Sequence, residues 1–188
     1  MNCMIQFWRP GLLNILNQVL LHRRLRCAQN SLLLIFDVDG VLTDGSFYYS
    51  TEGKILKKFG PHDSEASSIL SKSFEIRFIS ADQRGFQITS KRIKDMGFTL
   101  ELVPASQRVP YIQNFQRIGK HVFFIADAPS DIPALMIADF SACPKNVFSK
   151  VKSSVDVVLE ADGGRGVVAE LLNLLTKSLG ESSKHAKL

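Results

Sequence analysis

The sequence predicts an α/β protein with a doubly wound, Rossmann-like parallel sheet that is covered by helices on both faces. Strand-like and helix-like segments alternate from residue 31 onward, and two strand-like runs, Leu32–Phe36 and Val122–Ile125, are continuously apolar. Continuous apolar strands are typical of parallel sheets, because such strands are buried on both faces. With 188 residues, of which 45% are hydrophobic, the chain is long enough for one domain with a sizeable core.

Composition and charge narrow the classes of function. The net charge of +5 is modest and fits a phosphorylated or acidic small substrate without requiring one. Lys and Arg are spread along the chain, so we expect no nucleic-acid partner. The three cysteines, Cys3, Cys27 and Cys143, have no paired or metal-ligand spacing, which predicts reduced thiols and a cytoplasmic protein. No apolar run is long enough to span a bilayer.

The chain divides into three predicted segments: an N-terminal amphipathic helical extension at residues 1–30, an α/β domain at 31–178 and a disordered polar tail at 179–188. In the extension, apolar residues recur at helical spacing from Leu12 to Leu20, and a basic segment follows from His22 to Arg26. We favour a helix packed on the domain or on a partner subunit. Contact with a membrane surface is the less favoured alternative.

A small hairpin and a series of further elements follow the first strand. The β-prone runs Ser46–Ser50 and Lys54–Phe59 flank the turn Thr51-Glu52-Gly53 and predict a hairpin flap. A helix is expected to begin with Asp63 or Ser64 as its cap and to run to about Leu70. The further predicted strands are Glu75–Ser80, Thr99–Val103, Val122–Ala126, Phe140–Cys143 and Val155–Leu159. The further predicted helices are Gly85–Met96, Ser106–Ile118 with Pro110 in its first turn, Pro133–Ile137, Asn146–Lys150 and Val167–Ser178.

Acidic residues follow both continuously apolar strands. Asp37 and Asp39 come directly after the first strand, Asp127 follows the second, and Asp131 is close to it. Because ligands bind at the carboxyl ends of strands in open α/β sheets, we expect these carboxylates to share one site. Their mutual repulsion is relieved by a hard divalent cation, and Mg²⁺ is the usual one beside phosphate. The simpler interpretation, a turn after a strand, does not explain the acid that ends the second strand.

The stretch Asp37-Val38-Asp39-Gly40-Val41-Leu42-Thr43 resembles the signature start of the haloacid dehalogenase (HAD) superfamily of phosphatases. The resemblance extends to the capless phosphatases of sugar-acid biosynthesis, the family of 3-deoxy-D-manno-octulosonate 8-phosphate phosphatases. It is carried there by the hairpin Phe47-Tyr48-Tyr49, by Lys57-Lys58-Phe59 with Asp63, and by Gly163-Gly164-Arg165-Gly166. It covers residues 31–178 and implies a HAD core without a cap domain.

The resemblance implies a Mg²⁺-dependent phosphomonoesterase that acts on a small sugar or sugar-acid phosphate. Asp37 would be the nucleophile that becomes phosphorylated, and Asp39 the general acid and base. Mg²⁺ would be held by Asp37, by the backbone carbonyl of Asp39 and by Asp127. The resemblance also implies a homo-oligomer, a tetramer, in which the hairpin contacts a neighbouring subunit.

Three motifs depart from the family pattern. Ser80-Ala81-Asp82 stands where the family has Thr-Gly-Arg, Ser106-Gln107-Arg108 ends in Arg where the family has Lys, and Ala126-Asp127-Ala128 replaces Gly-Asp-Asp. Ser80 and Arg108 are the candidates for binding phosphate, although each also has an ordinary structural explanation. The loss of the Arg at position 82 predicts a substrate other than the octulosonate phosphate.

Several further assignments stay open at this stage. Lys91 is a rival of Arg108 for the cationic role. Asp131, Asp63 and Arg165 are candidates for contacting the substrate or supporting the metal ligands, but Asp63 has an obvious capping use and Arg165 begins a helix. The altered motifs favour one alternative function, a catalytically weak or inactive HAD-like domain that serves assembly or regulation. A phosphotransferase would need water excluded from the site, and no inserted cap domain is present for that.

Overall fold

The computed structural model describes residues 10–180, with side chains from residue 18 onward. Cys3, the first part of the predicted extension and the predicted tail from residue 181 lie outside the described residues. The strands are β1 (Leu32–Asp37), β2 (Thr43–Ser50), β3 (Gly53–Phe59), β4 (Glu75–Ser80), β5 (Leu100–Leu102), β6 (His121–Ile125), β7 (Phe140–Cys143) and β8 (Val157–Val158). The α-helices are α1 (Pro10–Ala28), α2 (His62–Leu70), α3 (Phe86–Asp95), α4 (Ala105–Arg117), α5 (Ile132–Ile137), α6 (Ser149–Lys152) and α7 (Val167–Leu179).

Six strands form one sheet in the order β5-β4-β1-β6-β7-β8, and β2 and β3 form a separate antiparallel hairpin. All neighbouring strands of the six-stranded sheet are parallel. The predicted fold class is therefore confirmed. The order reverses beside β1, the position at which open α/β sheets bind ligands.

β1 lies at the centre of two hydrophobic cores, one on each face of the sheet. Leu34 and Phe36 pack on one face with residues of α1, α2, α3 and α7. Leu33 and Ile35 pack on the other face with residues of α4, α5 and α6. Successive side chains of a strand point to opposite faces, so a strand with a core on both faces is apolar at every position. This burial explains why β1 lacks the polar alternation of an exposed sheet.

The described part of α1 packs on the domain. Leu21, Leu25 and Ala28 are buried in the core that includes α7. Arg26 Nε donates a hydrogen bond to the backbone carbonyl of Ser178 at 2.8 Å. Within residues 10–180, no helix is both long enough and apolar enough to cross a bilayer.

Two local predictions were wrong. α2 begins at His62 without a side-chain cap, because the Asp63 carboxylate accepts a hydrogen bond from the Val168 N–H in the first turn of α7 at 2.8 Å instead. Pro110 is inside α4 rather than in its first turn. The missing N–H costs α4 one hydrogen bond, and the burial of Arg108 and Ile112 on either side holds the helix together.

Candidate active site

The carboxyl ends of β1 and β6 bring three predicted acids together. Phe36 is opposite Ile125 in the register of these strands, so the residues that follow them lie side by side. Asp37, Asp127 and Asp131 each place a carboxylate oxygen within 4.8 Å of the others. All three line a cavity of about 410 Å³ at this edge of the sheet.

Gly40 allows the loop after β1 to approach Asp127. Its φ of +84° lies in the left-handed region that side chains rarely adopt. A Cβ at this position would also overlap the Asp127 carboxylate. The Thr43 hydroxyl accepts a hydrogen bond from the Gly40 N–H at 3.0 Å and so closes the loop. The glycine after the two acids therefore has a steric role in forming the site.

Burial and mutual repulsion raise the pKa values of the clustered carboxyls. Burial is the main reason that the pKa of Asp127 rises to about 7, and the Asp131 charge adds to the increase. Burial also raises the pKa of Asp37 well above its usual range, although Arg108 opposes this increase. The pKa of Asp131 is raised by burial as well. Two buried carboxylates and a third, partly buried one at this separation are unfavourable unless a cation compensates them.

Arg108 extends from α4 into this acidic cluster and is almost fully buried. Its Nη2 donates a hydrogen bond to Asp37 Oδ1 at 2.7 Å, and its Nη1 lies 2.5 Å from Asp131 Oδ1. A guanidinium can bridge two carboxylates in this way, whereas a lysine ammonium acts as a single point charge. Lys91, the rival cation, instead pairs with Asp95 on the exposed surface of α3.

The acidic cluster fits a hard divalent cation. Despite the Arg108 contact, Asp131 Oδ2 is buried and has no hydrogen-bond partner among the described residues. The raised pKa of Asp127 likewise identifies a carboxylate whose charge is not fully compensated. Mg²⁺ prefers such oxygen ligands, and Asp37, Asp127 and Asp131 would supply them. The backbone carbonyl of Asp39 stays a predicted ligand.

Asp39 is held by two side chains at the cavity. Ser80 Oγ donates a hydrogen bond to Asp39 Oδ2 at 3.0 Å, and Lys57 Nζ donates to Oδ1 at 2.6 Å. The Asp39 side chain is 33% exposed, whereas that of Asp37 is only 6% exposed. Ser80, predicted to bind phosphate, is fully buried, and its hydroxyl holds Asp39 in this structure.

Two hairpin lysines enter the site, and the sequence pattern gave neither a role. Lys57 Nζ donates to Thr89 Oγ1 at 2.8 Å and lies 2.7 Å from Asp82 Oδ2. Lys54 Nζ lies 2.5 Å from the same Asp82 oxygen. Burial alone would raise the pKa of Asp82, but hydrogen bonds from Lys54 and Lys57 outweigh it and lower the pKa to about 2.

A β-bulge explains why simple alternation missed this lysine pair. Residues 54 and 57 differ by an odd number, so a regular strand would place them on opposite faces. In β3, however, Leu56 pairs with Tyr48 and Lys54 with Tyr49, which leaves one extra residue, Ile55, between the pairs. A bulge of this kind redirects the side chains on one side of it. The sequence signal for this pair was the presence of three lysines, at positions 54, 57 and 58, in one strand of the predicted hairpin.

Asp63 and Arg165 lie away from the cavity that contains Asp37. Asp63 is buried against the first turn of α7, and burial raises its pKa. Arg165 lines a separate cavity of about 370 Å³ together with Asp44 and Lys58. Their predicted contact with a substrate has no support from these positions.

No protein-family model matches the chain. The chain is 28% identical over 159 residues to the 3-deoxy-D-manno-octulosonate 8-phosphate phosphatase KdsC of Haemophilus influenzae, a match that covers 82% of this chain and 88% of that protein.

Solved structures show the same fold. The cobalt-bound deoxy-D-mannose-octulosonate 8-phosphate phosphatase of H. influenzae superposes with a TM-score of 0.72 at 26% identity, over 85% of this chain and 95% of that one. The Moraxella catarrhalis 3-deoxy-D-manno-octulosonate 8-phosphate phosphatase, solved with magnesium, phosphate and KDO, gives a TM-score of 0.73 over 86% of this chain and 92% of that one. Its 22% identity supports a shared fold alone.

Proposed function

We infer the substrate class and mechanism of this chain from the premise that it is a HAD-type phosphatase, similar to the capless 3-deoxy-D-manno-octulosonate 8-phosphate phosphatases. The proposed reaction is the Mg²⁺-dependent hydrolysis of a small sugar or sugar-acid phosphate through a phosphoaspartate on Asp37. One observation carries the proposal. Arg108 joins the buried Asp37 carboxylate to that of Asp131, and both acids line one cavity together with Asp127.

In the first half-reaction, an Asp37 carboxylate oxygen attacks the phosphorus and the bond from phosphorus to the sugar oxygen breaks. Asp39 donates its proton to that departing oxygen, which leaves as a hydroxyl. Arg108 holds Asp37 in place and adds positive charge where the phosphoryl oxygens arrive. A Mg²⁺ ion held by Asp37, Asp127 and Asp131 would neutralise charge as the carboxylate approaches a phosphate dianion.

In the second half-reaction, the Asp39 carboxylate takes a proton from a water molecule that attacks the same phosphorus. The acyl-phosphate bond to Asp37 breaks, which releases inorganic phosphate and restores both carboxyls to their starting states. Ser80 donates a hydrogen bond to one oxygen of Asp39 and Lys57 to the other. These contacts support the assignment of Asp39 to both proton transfers, because a group that serves twice must keep its position.

A homo-oligomer, a tetramer by resemblance, is part of the proposal. Tyr48, Tyr49, Ile55 and Leu56 are each about half exposed on the hairpin. An exposed apolar surface of this kind is typical of a protein interface. Light scattering on the purified protein measures the oligomer mass, and Leu56→Ser is expected to lower it.

We also propose a cytoplasmic location, which Cys27 and Cys143, both free thiols, support.

A phosphate-release assay tests the reaction. Purified protein with Mg²⁺ is expected to release phosphate from members of a panel of sugar and sugar-acid phosphates, and Asp37→Asn is expected to release none. Activity that survives this substitution would rule out the phosphoaspartate mechanism. A wild-type protein that binds neither Mg²⁺ nor beryllofluoride, and hydrolyses nothing in the panel, would favour the assembly or regulatory domain instead.

A further inference from the structure

The described part of α1 packs on the domain through one of its faces. Leu21, Leu25 and Ala28 recur at helical spacing and are buried in the core that includes α7. Val19 is instead 60% exposed and Leu20 is 51% exposed. Two residues correspond to about 200° around a helix, so Val19 lies on nearly the opposite side from Leu21. α1 therefore has a second apolar face, the Val19 face, which the described domain leaves uncovered.

The sequence continues the Val19 face upstream. Apolar residues stand seven, four and three positions before Val19: Leu12, Ile15 and Leu16. Positions at these separations share one face of an α-helix, and the backbone of α1 is helical at all of them. The pattern therefore extends the Val19 face by about two helical turns.

The face that continues Leu21 upstream is polar instead. Asn14, Asn17 and Gln18 have the same separations from Leu21 as the upstream apolar residues have from Val19. The apolar face of α1 thus changes sides between its upstream turns and the turns that pack on the domain. An apolar face that turns away from its own domain indicates a second partner, because its exposure to water is unfavourable.

The charge of this segment indicates that the partner is anionic. Residues 1–30 contain four arginines and no Asp or Glu, whereas the other 158 residues contain 19 Lys and Arg against 18 Asp and Glu. Most of the net charge of +5 therefore belongs to the segment that contains the Val19 face. Such an uneven distribution of charge along a chain is typical of proteins that bind an anionic surface.

Arg23 supplies a cation beside the Val19 face, since it follows Val19 by four residues. Its side chain is exposed and has no ion-pair partner among the described residues. The next residue, Arg24, is instead held by the domain, where it pairs with Asp156 and lies over the Phe140 ring. Arg23 can therefore bind an anion outside the domain.

α1 lies at the edge of the sheet that is opposite the active site. It leads into the amino end of β1, and Arg24 contacts the residues that precede β7 and β8, Asp139 and Asp156. Asp37 and Asp127, in contrast, lie at the carboxyl ends of β1 and β6. A flat partner on the Val19 face would therefore leave the active-site cavity open to a soluble substrate.

We propose that the Val19 face of α1 binds an anionic lipid surface, with Val19 in the interface and Arg23 at the lipid phosphates. A bilayer presents apolar chains beside negative headgroups, and this face offers the complementary groups. No helix within residues 10–180 could cross a bilayer, so α1 would lie in the plane of the surface. A second copy of α1 would cover the apolar residues but would bring arginines together.

Vesicle binding tests the proposal. The purified protein is sedimented with vesicles of phosphatidylcholine alone and with vesicles that also contain about 30% phosphatidylserine. Partitioning onto the anionic vesicles is expected to be at least about tenfold stronger, because each arginine near the surface adds to the attraction. It should weaken as the salt concentration rises.

Two substitutions separate the apolar contribution from that of charge. Val19→Ser is expected to weaken partitioning onto the anionic vesicles about tenfold, because it removes apolar surface and no charge. Arg23→Gln is expected to weaken it about fivefold and to reduce its dependence on salt. Both residues are exposed, so neither variant should change the melting temperature.

Phe148→Ser and Lys94→Gln are the matched controls. Phe148 is 71% exposed just before α6, and Lys94 is exposed near the end of α3. Each substitution removes a comparable apolar or charged group from a surface away from α1. Partitioning of both control variants should therefore stay within about twofold of the wild type.

Three outcomes would overturn the proposal. The first is a wild type that binds neither kind of vesicle or binds both equally, and the second is a Val19→Ser variant that partitions like the wild type. The third is a wild type that leaves the vesicles unbound while Val19→Ser lowers the oligomer mass in light scattering. That result would assign the Val19 face to a second copy of the chain.

Discussion

The site has two halves with different origins. Asp37, Asp127 and Asp131 come from the edge of the central sheet, and buried strands fix their positions. Lys54 and Lys57 come from a hairpin outside that sheet. A β-bulge between them places both side chains at the site. The first half carries excess negative charge in the absence of metal, whereas the second half is a set of balanced ion pairs.

The difference in charge indicates that the two halves of the site have different roles. The sheet half keeps carboxylates in an unfavourable environment, which favours the binding of a divalent cation. The hairpin half consists of ion pairs and holds the Asp39 carboxylate in position. Substitutions in the sheet half should therefore affect chemistry and metal binding most, and those in the hairpin half the position of Asp39.

The largest effect is expected for Asp37, the proposed nucleophile. Asp37→Asn should lower kcat by at least about 1,000-fold, because an amide oxygen cannot form the phosphoaspartate. Phosphate release measures kcat, and a thermal melt should show a folded variant. Asp44→Asn, near the start of β2 and at the separate cavity, should stay within about twofold of the wild type. A comparable loss in both variants would mean that a general disturbance of this region, and not the loss of the Asp37 carboxylate, is responsible.

The next largest effect is expected for Lys57→Met in the hairpin half of the site. We expect kcat to fall by about 100-fold, because Asp39 loses its Lys57 contact and Asp82 loses one of its cations. The pH profile of kcat should change shape as well, since the group that transfers the proton loses a neighbouring charge. Lys58→Met serves as control. An unchanged pH profile would indicate that Lys57 only stabilises the hairpin.

The stability of the metal-free protein should depend on pH through Asp127. Its pKa is raised to about 7 in the folded chain, above that of an unfolded aspartate, so the folded state binds the proton more tightly. Its contribution is fully present below about pH 4 and is lost as pH rises through about 7, by up to about 4 kcal/mol in the free energy of unfolding.

Urea unfolding in EDTA between pH 5 and 8 measures this loss. Saturating Mg²⁺ should remove most of it, because a bound cation compensates the ionised carboxylate. Asp127→Asn should also flatten the pH dependence in EDTA. A wild type whose stability rises steadily over this range would contradict the assigned direction of the Asp127 pKa.

The smallest effect is expected for Asp82→Asn. The amide keeps the shape but removes the charge that both lysines share, so kcat/KM should fall by less than about tenfold. Amide hydrogen exchange within residues 43–59 should speed up as the hairpin loses its tie to the core. Asp95→Asn, on the exposed surface of α3, should change neither quantity. An unchanged rate of amide hydrogen exchange in the hairpin would mean that the Asp82 ion pairs do not hold the hairpin against the core.

Much of the fold followed from local patterns. Strands β4 and β7 have the predicted bounds, and the hairpin and the last helix differ from prediction by a few residues at their ends. The errors at Asp63 and Pro110 share one cause. Both depend on packing between elements distant in sequence, since Asp63 caps α7 and the burial of Arg108 and Ile112 allows α4 to tolerate a proline in its interior.

The sequence alone determined the sheet half of the site. A strand buried on both faces admits only apolar residues, so acids at the ends of two such strands mark where the strands leave the core and where the cavity lies. The tertiary structure alone decided which cations meet those acids. Arg108 joins Asp37 across 71 residues, and the bulge at Ile55 places Lys54 beside Lys57. Such pairings depend on register and local bending, which the order of residues along the chain does not display.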